Sequence, residues 1–173
     1  MLSIEPICDD LIAFLQARLP AQLDTVVAAM GTRHPVTAPR TSSYYLGEWH
    51  RFRPMQLPAV FIVPSRSVLS VRTADEGANI DKWQHQLLLD VLCEGAEEES
   101  LTRCCYRYAE AFYATLHDQD ITRAGISTRG TQVFVSAVDY GPMIAKPAGG
   151  GPFKKDVFLT LNVLHYDRST PVG

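Results

Sequence analysis

The sequence predicts an α+β fold, in which an antiparallel-rich mixed sheet of about four strands is flanked by a kinked N-terminal helix and a central helix. Two observations predict it. Apolar residues recur at three- and four-residue steps in two segments, and they alternate with polar residues in the segments that follow each of these. The resulting order of helix, strand, strand, helix, strand, strand is typical of α+β proteins. The length of 173 residues predicts a single domain over residues 1–173.

The first predicted element is a long amphipathic helix. Apolar residues form one stripe over 4–19, and residues 23–30 continue the stripe until Gly31, which we expect to end the helix. Pro20 lies inside this pattern. Because proline cannot donate the helical hydrogen bond, we expect the helix to be kinked or broken there.

Residues 32–57 are predicted to form a long loop, which we call the excursion, because their apolar residues recur without a regular spacing. Loops longer than about 12–15 residues inside a compact domain need a structural reason. We expect this one to pack on the chain's own core or on a neighbouring subunit, because it is rich in aromatic side chains. These are Tyr44, Tyr45, Trp49 and Phe52.

Two strands are predicted after the excursion. Residues 59–63 are a continuous apolar run that ends at Pro64, and residues 68–71 allow the strand to continue beyond a bulge. Residues 83–94 alternate with one strongly apolar face. The polar segment 73–79 between them is interpreted as a hairpin connection or a projecting loop.

The central helix is predicted over 97–117. Three glutamates open it, as the positive end of the helix dipole favours, and Glu99 and Arg103 have the spacing of an exposed ion pair. Its buried stripe is predicted to comprise Leu101, Cys104, Cys105, Tyr108, Phe112 and Leu116.

Two further strands are predicted around 133–137 and 157–163, where apolar and polar residues alternate. Residues 141–152 join them. This segment is rich in glycine and proline, which predicts a hairpin loop.

Composition narrows the class of protein. A formal net charge of -3 gives no reason to expect a nucleic-acid binder or an acidic-membrane binder. The chain shows no secretory leader pattern and no apolar run near the ~20 residues that span a bilayer. Its four cysteines lack a CxxC pair, which favours a reducing compartment and buried, inert thiols.

The sequence carries no recognisable catalytic, metal or cofactor site. The glycines at 149–151 lead into a strand and not a helix, so they do not form a phosphate-binding loop. No histidine pair has metal-ligand spacing, and no GxSxG nucleophile motif occurs. We therefore predict that the chain is not an enzyme and holds neither a metal ion nor a cofactor.

The order of the charges is more informative than their total. Residues 33–72 contain six arginines and one acid, whereas residues 73–100 contain eight acids and one lysine. Two solvated faces would explain this pattern. It would equally suit a head-to-tail ring, in which each subunit presents one patch to the opposite patch of its neighbour. The two long excursions, at 32–57 and 141–152, favour the second interpretation.

Several segments resemble the tail terminator proteins of tailed bacteriophages. They are the amphipathic N-terminal helix, the run Tyr-Tyr-Leu-Gly-Glu at 44–48, the run Leu-Pro-Ala-Val-Phe-Ile-Val-Pro at 57–64, and the Trp-x-His-x-Leu-Leu-Leu strand at 83–89. The helix that begins with glutamates and the closing strand Val-Phe-Leu-Thr-Leu-Asn-Val-Leu-His-Tyr at 157–166 fit as well. The resemblance covers residues 5–167. It rests on the order of the helices and strands and on the residue patterns of these segments.

This resemblance implies a structural virion protein of the phage neck. Such a protein forms a hexameric ring that caps the tail tube, stops its polymerisation and joins the tail to the head connector. The implied partners are other copies of the chain, the tail tube protein and the connector or stopper protein, with the sheath protein as a further candidate. Genomic DNA would pass through without specific binding. The implied location is the virion, assembled in the host cytoplasm and independent of a membrane. The 32–57 excursion is longer than the family pattern.

The candidate interface residues combine aromatic anchors, the basic block, the acidic block and the basic loop tips. We expect the lysines to contact an adjoining ring, because a strongly basic lumen would resist the sliding of DNA. The predicted subunit or ring interface residues are Tyr44, Tyr45, Trp49, Arg51, Arg53, Asp75, Glu76, Arg129, Lys146, Lys154 and Lys155.

Two alternatives stay open at this point. The first is a head-to-tail stopper or adaptor of the same neck. The second, from a different class, is a small thiol-dependent or hydrolytic enzyme. Alkylation of native Cys104 or Cys105 would favour an enzyme, because both thiols are predicted to be shielded on the buried helix stripe.

Overall fold

A computed structural model describes residues 4–48, 55–75, 78–121, 130–144 and 151–169. It confirms the α+β class, with two helices and a mixed six-stranded sheet in place of the predicted four strands. The single-domain organisation stays a prediction. Among the described residues, neither helix combines the length and hydropathy that a membrane crossing requires.

The two helices are α1 (Glu5–Met30) and α2 (Glu98–Leu116). The strands are β1 (Tyr44–Leu46), β2 (Ala59–Asp75), β3 (Ala78–Gly95), β4 (Gln119–Asp120), β5 (Thr131–Tyr140) and β6 (Phe153–Ser169). In the sheet they follow the order β1-β2-β3-β6-β5-β4. The β1–β2 pair is parallel, and every other neighbouring pair is antiparallel.

Helix α1 continues through Pro20, so the predicted break at this residue is wrong. A proline removes the hydrogen bond to the carbonyl four residues earlier, here that of Gln16, and its ring crowds the same carbonyl. Pro20 lies on the exposed side of α1, where the neighbouring backbone can be hydrated. The helix ends as predicted at Gly31, whose φ of 82° suits glycine better than other residues.

The core lies between the helices and one face of the β3–β6 pair. Leu87 pairs with Leu161, Leu89 with Leu159 and Val91 with Val157, and all of these side chains are buried. Because side chains alternate along a strand, the residues between them point to the other face of the sheet. The alternation of apolar and polar residues in the sequence therefore predicted correctly which side chains of β3 and β6 face the core.

The β2–β3 hairpin is longer than predicted. The ladder continues to the pair Asp75–Ala78, so residues 73–75 and 78–79 of the polar segment form strand backbone. A polar segment can continue a ladder because backbone groups supply the pairing. The register shift at Pro64–Arg66 confirms the bulge that the sequence suggested, and a second shift, at Leu69–Val71, was not predicted.

Strands β5 and β6 are joined by the predicted hairpin. Beyond the end of β5, the Gly141 amide donates to the Asp156 carbonyl at 3.1 Å, and Ile144 forms a bridge with Lys154. Residues 145–150, in the middle of the predicted loop, lie outside the described residues.

The first part of the 32–57 excursion packs on its own chain. It runs along α2, where the Tyr108 hydroxyl donates to the Thr37 carbonyl at 2.7 Å and the His34 ring lies 3.0 Å from the Ser100 hydroxyl. Beyond it, Tyr44–Leu46 forms β1 at the edge of the sheet. The described part of the excursion therefore serves the fold of the monomer, so its length is no longer an argument for assembly.

Arg107 of α2 links the two helices by hydrogen bonds to carbonyls at and just beyond the end of α1. Its side chain is 5% exposed, and its guanidinium donates to the Met30 carbonyl at 2.9 Å and to the His34 carbonyl. Carbonyls at the end of a helix lack partners within the helix, so a buried cation there satisfies and stabilises them. The sequence pattern did not reveal this contact, because an arginine between apolar positions is more often exposed.

We expect Arg107→Met to lower the free energy of unfolding by about 2–3 kcal/mol, because it removes charge-assisted hydrogen bonds and leaves two carbonyls without donors. Arg103→Met is the matched control. Arg103 lies one turn earlier and forms an exposed pair with Glu99 at 2.9 Å, which contributes less than about 1 kcal/mol. Urea unfolding of both variants measures the difference, and equal losses would contradict the role given to Arg107.

Candidate assembly interface

The sheet has two unlike faces. The helix face carries the main core, and we call the opposite side the open face. Along the open face of β3 and β6, the exposed or half-buried side chains include Gln84, Gln86, Thr160 and Asn162. A groove of about 310 Å³ lies on it, lined by Arg66, Val68, Gln84, Gln86 and Asn162.

A small apolar cluster covers one end of the open face. Phe61 is fully buried there, and the ring of Tyr45 stacks on it at a centroid distance of 5.2 Å. Met55, Leu57 and Ile144 pack around the two rings. Tyr45 is therefore half-buried against its own sheet, and only part of its surface is left for another molecule.

Tyr44 points the other way and packs against the main core. Burial raises the pKa of its hydroxyl to about 12. Both tyrosines that the sequence suggested as interface anchors thus contribute to the monomer core, although each keeps partial exposure.

The two described lysines of the candidate set begin β6 and are half-buried. The Lys155 ammonium donates to the Gly141 carbonyl at 2.7 Å and closes the start of the β5–β6 hairpin. Lys154 bonds through its backbone with Ile144. No described contact occupies the Lys154 side chain.

The structure separates the candidate residues along the strands. Tyr44, Tyr45, Lys154 and Lys155 lie at one end of the sheet, whereas Asp75 lies at the tip of the β2–β3 hairpin. It does not bring the two groups together within one subunit. The remaining candidates, Trp49, Arg51, Arg53, Glu76, Arg129 and Lys146, lie outside the described residues.

Where the two charge blocks lie on β2 and β3, they do not form two separate faces. The basic strand β2 pairs directly with the acidic strand β3, as at Arg72 and Asp81. Asp81 and Asp90 are also buried, which removes them from any surface patch. On these two strands the blocks are distinct only along the chain, because the hairpin places one strand against the other.

Each outer edge of the sheet is paired over only part of its length. Strand β1 pairs with β2 as far as Ile62, and β4 pairs with β5 as far as Val133. Within the described ranges, no strand pairs with the outer side of residues 63–75, the β2 edge, or of residues 134–140, the β5 edge. Unpaired strand edges can accept another strand.

Exposed apolar side chains lie beside both edges. Of the large apolar residues described, those at least 37% exposed include Leu46, Val68 and Leu69 on the β2 side. On the β5 side they include Tyr106, Tyr113 and Tyr140. Tyr106 of α2 meets Tyr140 of β5 edge to face at 5.0 Å, and Tyr113 shares its helix face. Sequence reasoning missed both groups, because their exposure depends on where the sheet ends.

Two carboxylates are buried near the covered end of the open face. Burial, with the nearby Asp156 as a smaller cause, raises the pKa of Asp90 to about 7. Burial also raises the pKa of Asp156. One oxygen of Asp90 has no hydrogen-bond partner. The protonated form of Asp90 is therefore the one that this site favours.

The described thiols and histidines do not form a catalytic arrangement. Cys105 is buried as predicted, but Cys104 is partly exposed, with its thiol 3.5 Å from the Pro35 carbonyl. Burial raises the pKa of Cys104, which disfavours the reactive thiolate.

The two histidines of the helix face bond to hydroxyls, His85 to Ser67 and His165 to Thr131. No cluster of three or more metal-binding side chains occurs among the described residues.

Comparison with known proteins gives little further guidance. No family model matches the chain, and no curated protein matches it. Among solved structures, the chain is similar to one described as "Virion of native gene transfer agent (GTA) particle". The two are 13% identical, with 88% of this chain and 95% of the other covered and a TM-score of 0.43. A similarity of this size does not support a conclusion about function.

Asp90 makes stability depend on pH. An unfolded aspartate ionises near pH 4, whereas folded Asp90 keeps its proton up to about pH 7. Folding is therefore favoured at low pH, and this contribution is lost as the pH rises from about 4 to about 7. We expect Asp90→Asn to raise Tm by a few degrees more at pH 8 than at pH 4, because the amide stays neutral.

Asp139→Asn is the control for this experiment, since Asp139 is an exposed aspartate of β5. Thermal unfolding of the wild type and both variants at the two pH values measures the effect. A gain for Asp90→Asn that is the same at both pH values would contradict the assignment.

Proposed function

We propose that this chain is a structural protein of a phage-like virion, specifically a tail terminator of the neck. It forms a hexameric ring that caps the tail tube and joins the tail to the head connector. The proposal is supported by the sequence resemblance to that family and by the arrangement of the exposed apolar residues.

That arrangement is the observation that carries the proposal. The two exposed apolar groups differ in composition, one aliphatic and one aromatic, and they lie at opposite edges of the same sheet. A self-complementary dimer would need only one patch, used twice. Two different patches on opposite sides suit head-to-tail contacts, which generate a ring when the rotation closes.

The open face suits the inside of such a ring. With the helices outside, the lumen would be lined by the amide side chains of Gln84, Gln86 and Asn162. Neutral amides do not displace the counterions of DNA as lysine and arginine do, so they would let a genome slide. The one described cation of the groove, Arg66, lies beside the β2 edge and has a role in the inference below.

The two ends of the sheet would face the neighbouring rings. The end with Tyr45 and Lys154 keeps a half-exposed ring and a half-exposed cation, which suits contact with tube or connector protein. Asp75 would lie at the other end of the subunit. Binding of the connector and binding of the tube would thus use opposite surfaces of one ring.

We expect the purified protein to sediment as a ring, either alone or after addition of the tail tube protein of the same particle. Adding it to polymerising tube protein should shorten the tubes in electron micrographs, because a capped end accepts no further subunit. A strict monomer under both conditions would contradict the proposal. Rings that bind connector protein without stopping tube growth would favour the stopper or adaptor.

Charge reversal at Arg51 and Arg53 tests the predicted basic interface. We expect the double variant to weaken ring assembly by about tenfold or more while far-UV circular dichroism is unchanged. Arg18→Glu is the control, because it reverses an exposed charge on α1 that lies outside the basic block at 33–72. Unchanged sedimentation of the Arg51/Arg53 variant would remove these residues from the interface.

A further inference from the structure

We propose that neighbouring subunits join by direct strand pairing, with the β2 edge of one copy adding to the β5 edge of the next. This inference rests on the proposed ring. It specifies the partner of each edge, which is a second copy of this chain, and the type of bond, which is a backbone ladder between subunits.

The direction of the strands supports this pairing. Strands β2, β3, β6 and β5 alternate in direction across the sheet. Strands β2 and β5 therefore run in opposite directions. In a ring whose axis follows the strands, every copy has the same orientation, so the β2 edge of the next copy meets β5 in antiparallel fashion. The alternation continues across the subunit boundary, and the antiparallel ladder is the more stable type.

The free edges also match along their length. In the same rows of the sheet, Val63 lies level with Ala137 and Arg66 lies level with Phe134. The two edges overlap directly there, and a stagger of a few residues brings the whole β5 edge against β2. Closed sheets require such a stagger, because their strands tilt relative to the axis of the barrel.

The side chains beside the two edges are complementary on both faces. On the helix face, both edges carry exposed apolar side chains, Leu69 beside β2 and Tyr106 and Tyr140 beside β5. On the open face, the exposed Arg66 would lie near the exposed Asp139. A stagger of about four residues brings Arg66 level with Asp139, so the opposite charges favour this register and this partner.

A second copy of the chain fits these edges better than an unrelated peptide does, because the molecule has two different unpaired edges. A peptide could cover one edge, but it would leave the other edge and its apolar group exposed. A second copy covers the β2 edge and the β5 edge by one contact repeated around the ring.

The test blocks each edge separately. Val68→Lys places a charge beside the β2 edge, and Tyr140→Lys places one beside the β5 edge. We expect each variant alone to assemble at least about tenfold more weakly than wild type. Mixed in equal amounts, they should form a one-to-one dimer and nothing larger, because only one free edge of each kind is present.

Gln84→Lys is the matched control. Gln84 is the partner of Val68 in the ladder and lies on the same face, but it belongs to the inner strand β3. This variant should assemble within about twofold of wild type. All three positions are exposed, so their folding can be checked by unchanged circular dichroism and Tm.

Hydrogen exchange supplies an independent measurement. On ring formation, amides within 63–70 and 134–140 should gain protection, whereas those of the β3–β6 pair should not change. A ring that forms without this protection, or that tolerates both edge variants, would overturn the strand-pairing inference and leave the proposed function standing. A protein that stays monomeric with tube protein would overturn both.

Discussion

The pairing of β3 with β6 is the constraint on which the rest of the molecule depends. The two strands are distant in the sequence, yet they pair from Asn79–Ser169 to Gly95–Phe153 without a register shift. Alternating aliphatic side chains fix this register, because a slip by one residue would expose the whole buried row. Both helices pack on that row, and β2 and β5 add on either side. The positions of both sheet edges follow from this central pair.

The sequence predicted those features that depend on residues within one segment, and it did not predict those that depend on contacts between distant segments. The spacing of apolar residues predicted both helices and the four longer strands, because each of these segments contains its own amphipathic pattern. It did not find β1 and β4, which exist only because a longer strand offers them an edge. It could not place Arg107, whose burial depends on carbonyls contributed by residues 30 and 34. Charge order suggested two patches, but the β2–β3 hairpin folds those blocks together and buries Asp81 and Asp90.

The candidate interface stays a prediction, but the fold changes which residues are available to it. Tyr44 and Tyr45 were predicted as anchors for a partner, yet both rings pack on their own subunit. The exposed apolar residues are instead Leu46, Val68 and Leu69 on one side of the sheet, and tyrosines of α2 and β5 on the other. No local pattern marks these residues, since surface and core strands share the same period. Assembly is therefore better argued from what the folded sheet leaves unpaired than from the order of charges.

Electron cryo-microscopy of the assembled ring tests the central claim most directly. Our account predicts one continuous sheet around the lumen, with β2 of each subunit antiparallel to β5 of the next and the helices outside. Val68 should lie at a subunit boundary and Gln84 within a subunit. A ring in which the β2 edge and the β5 edge both face solvent, or in which the helices line the lumen, would contradict the account.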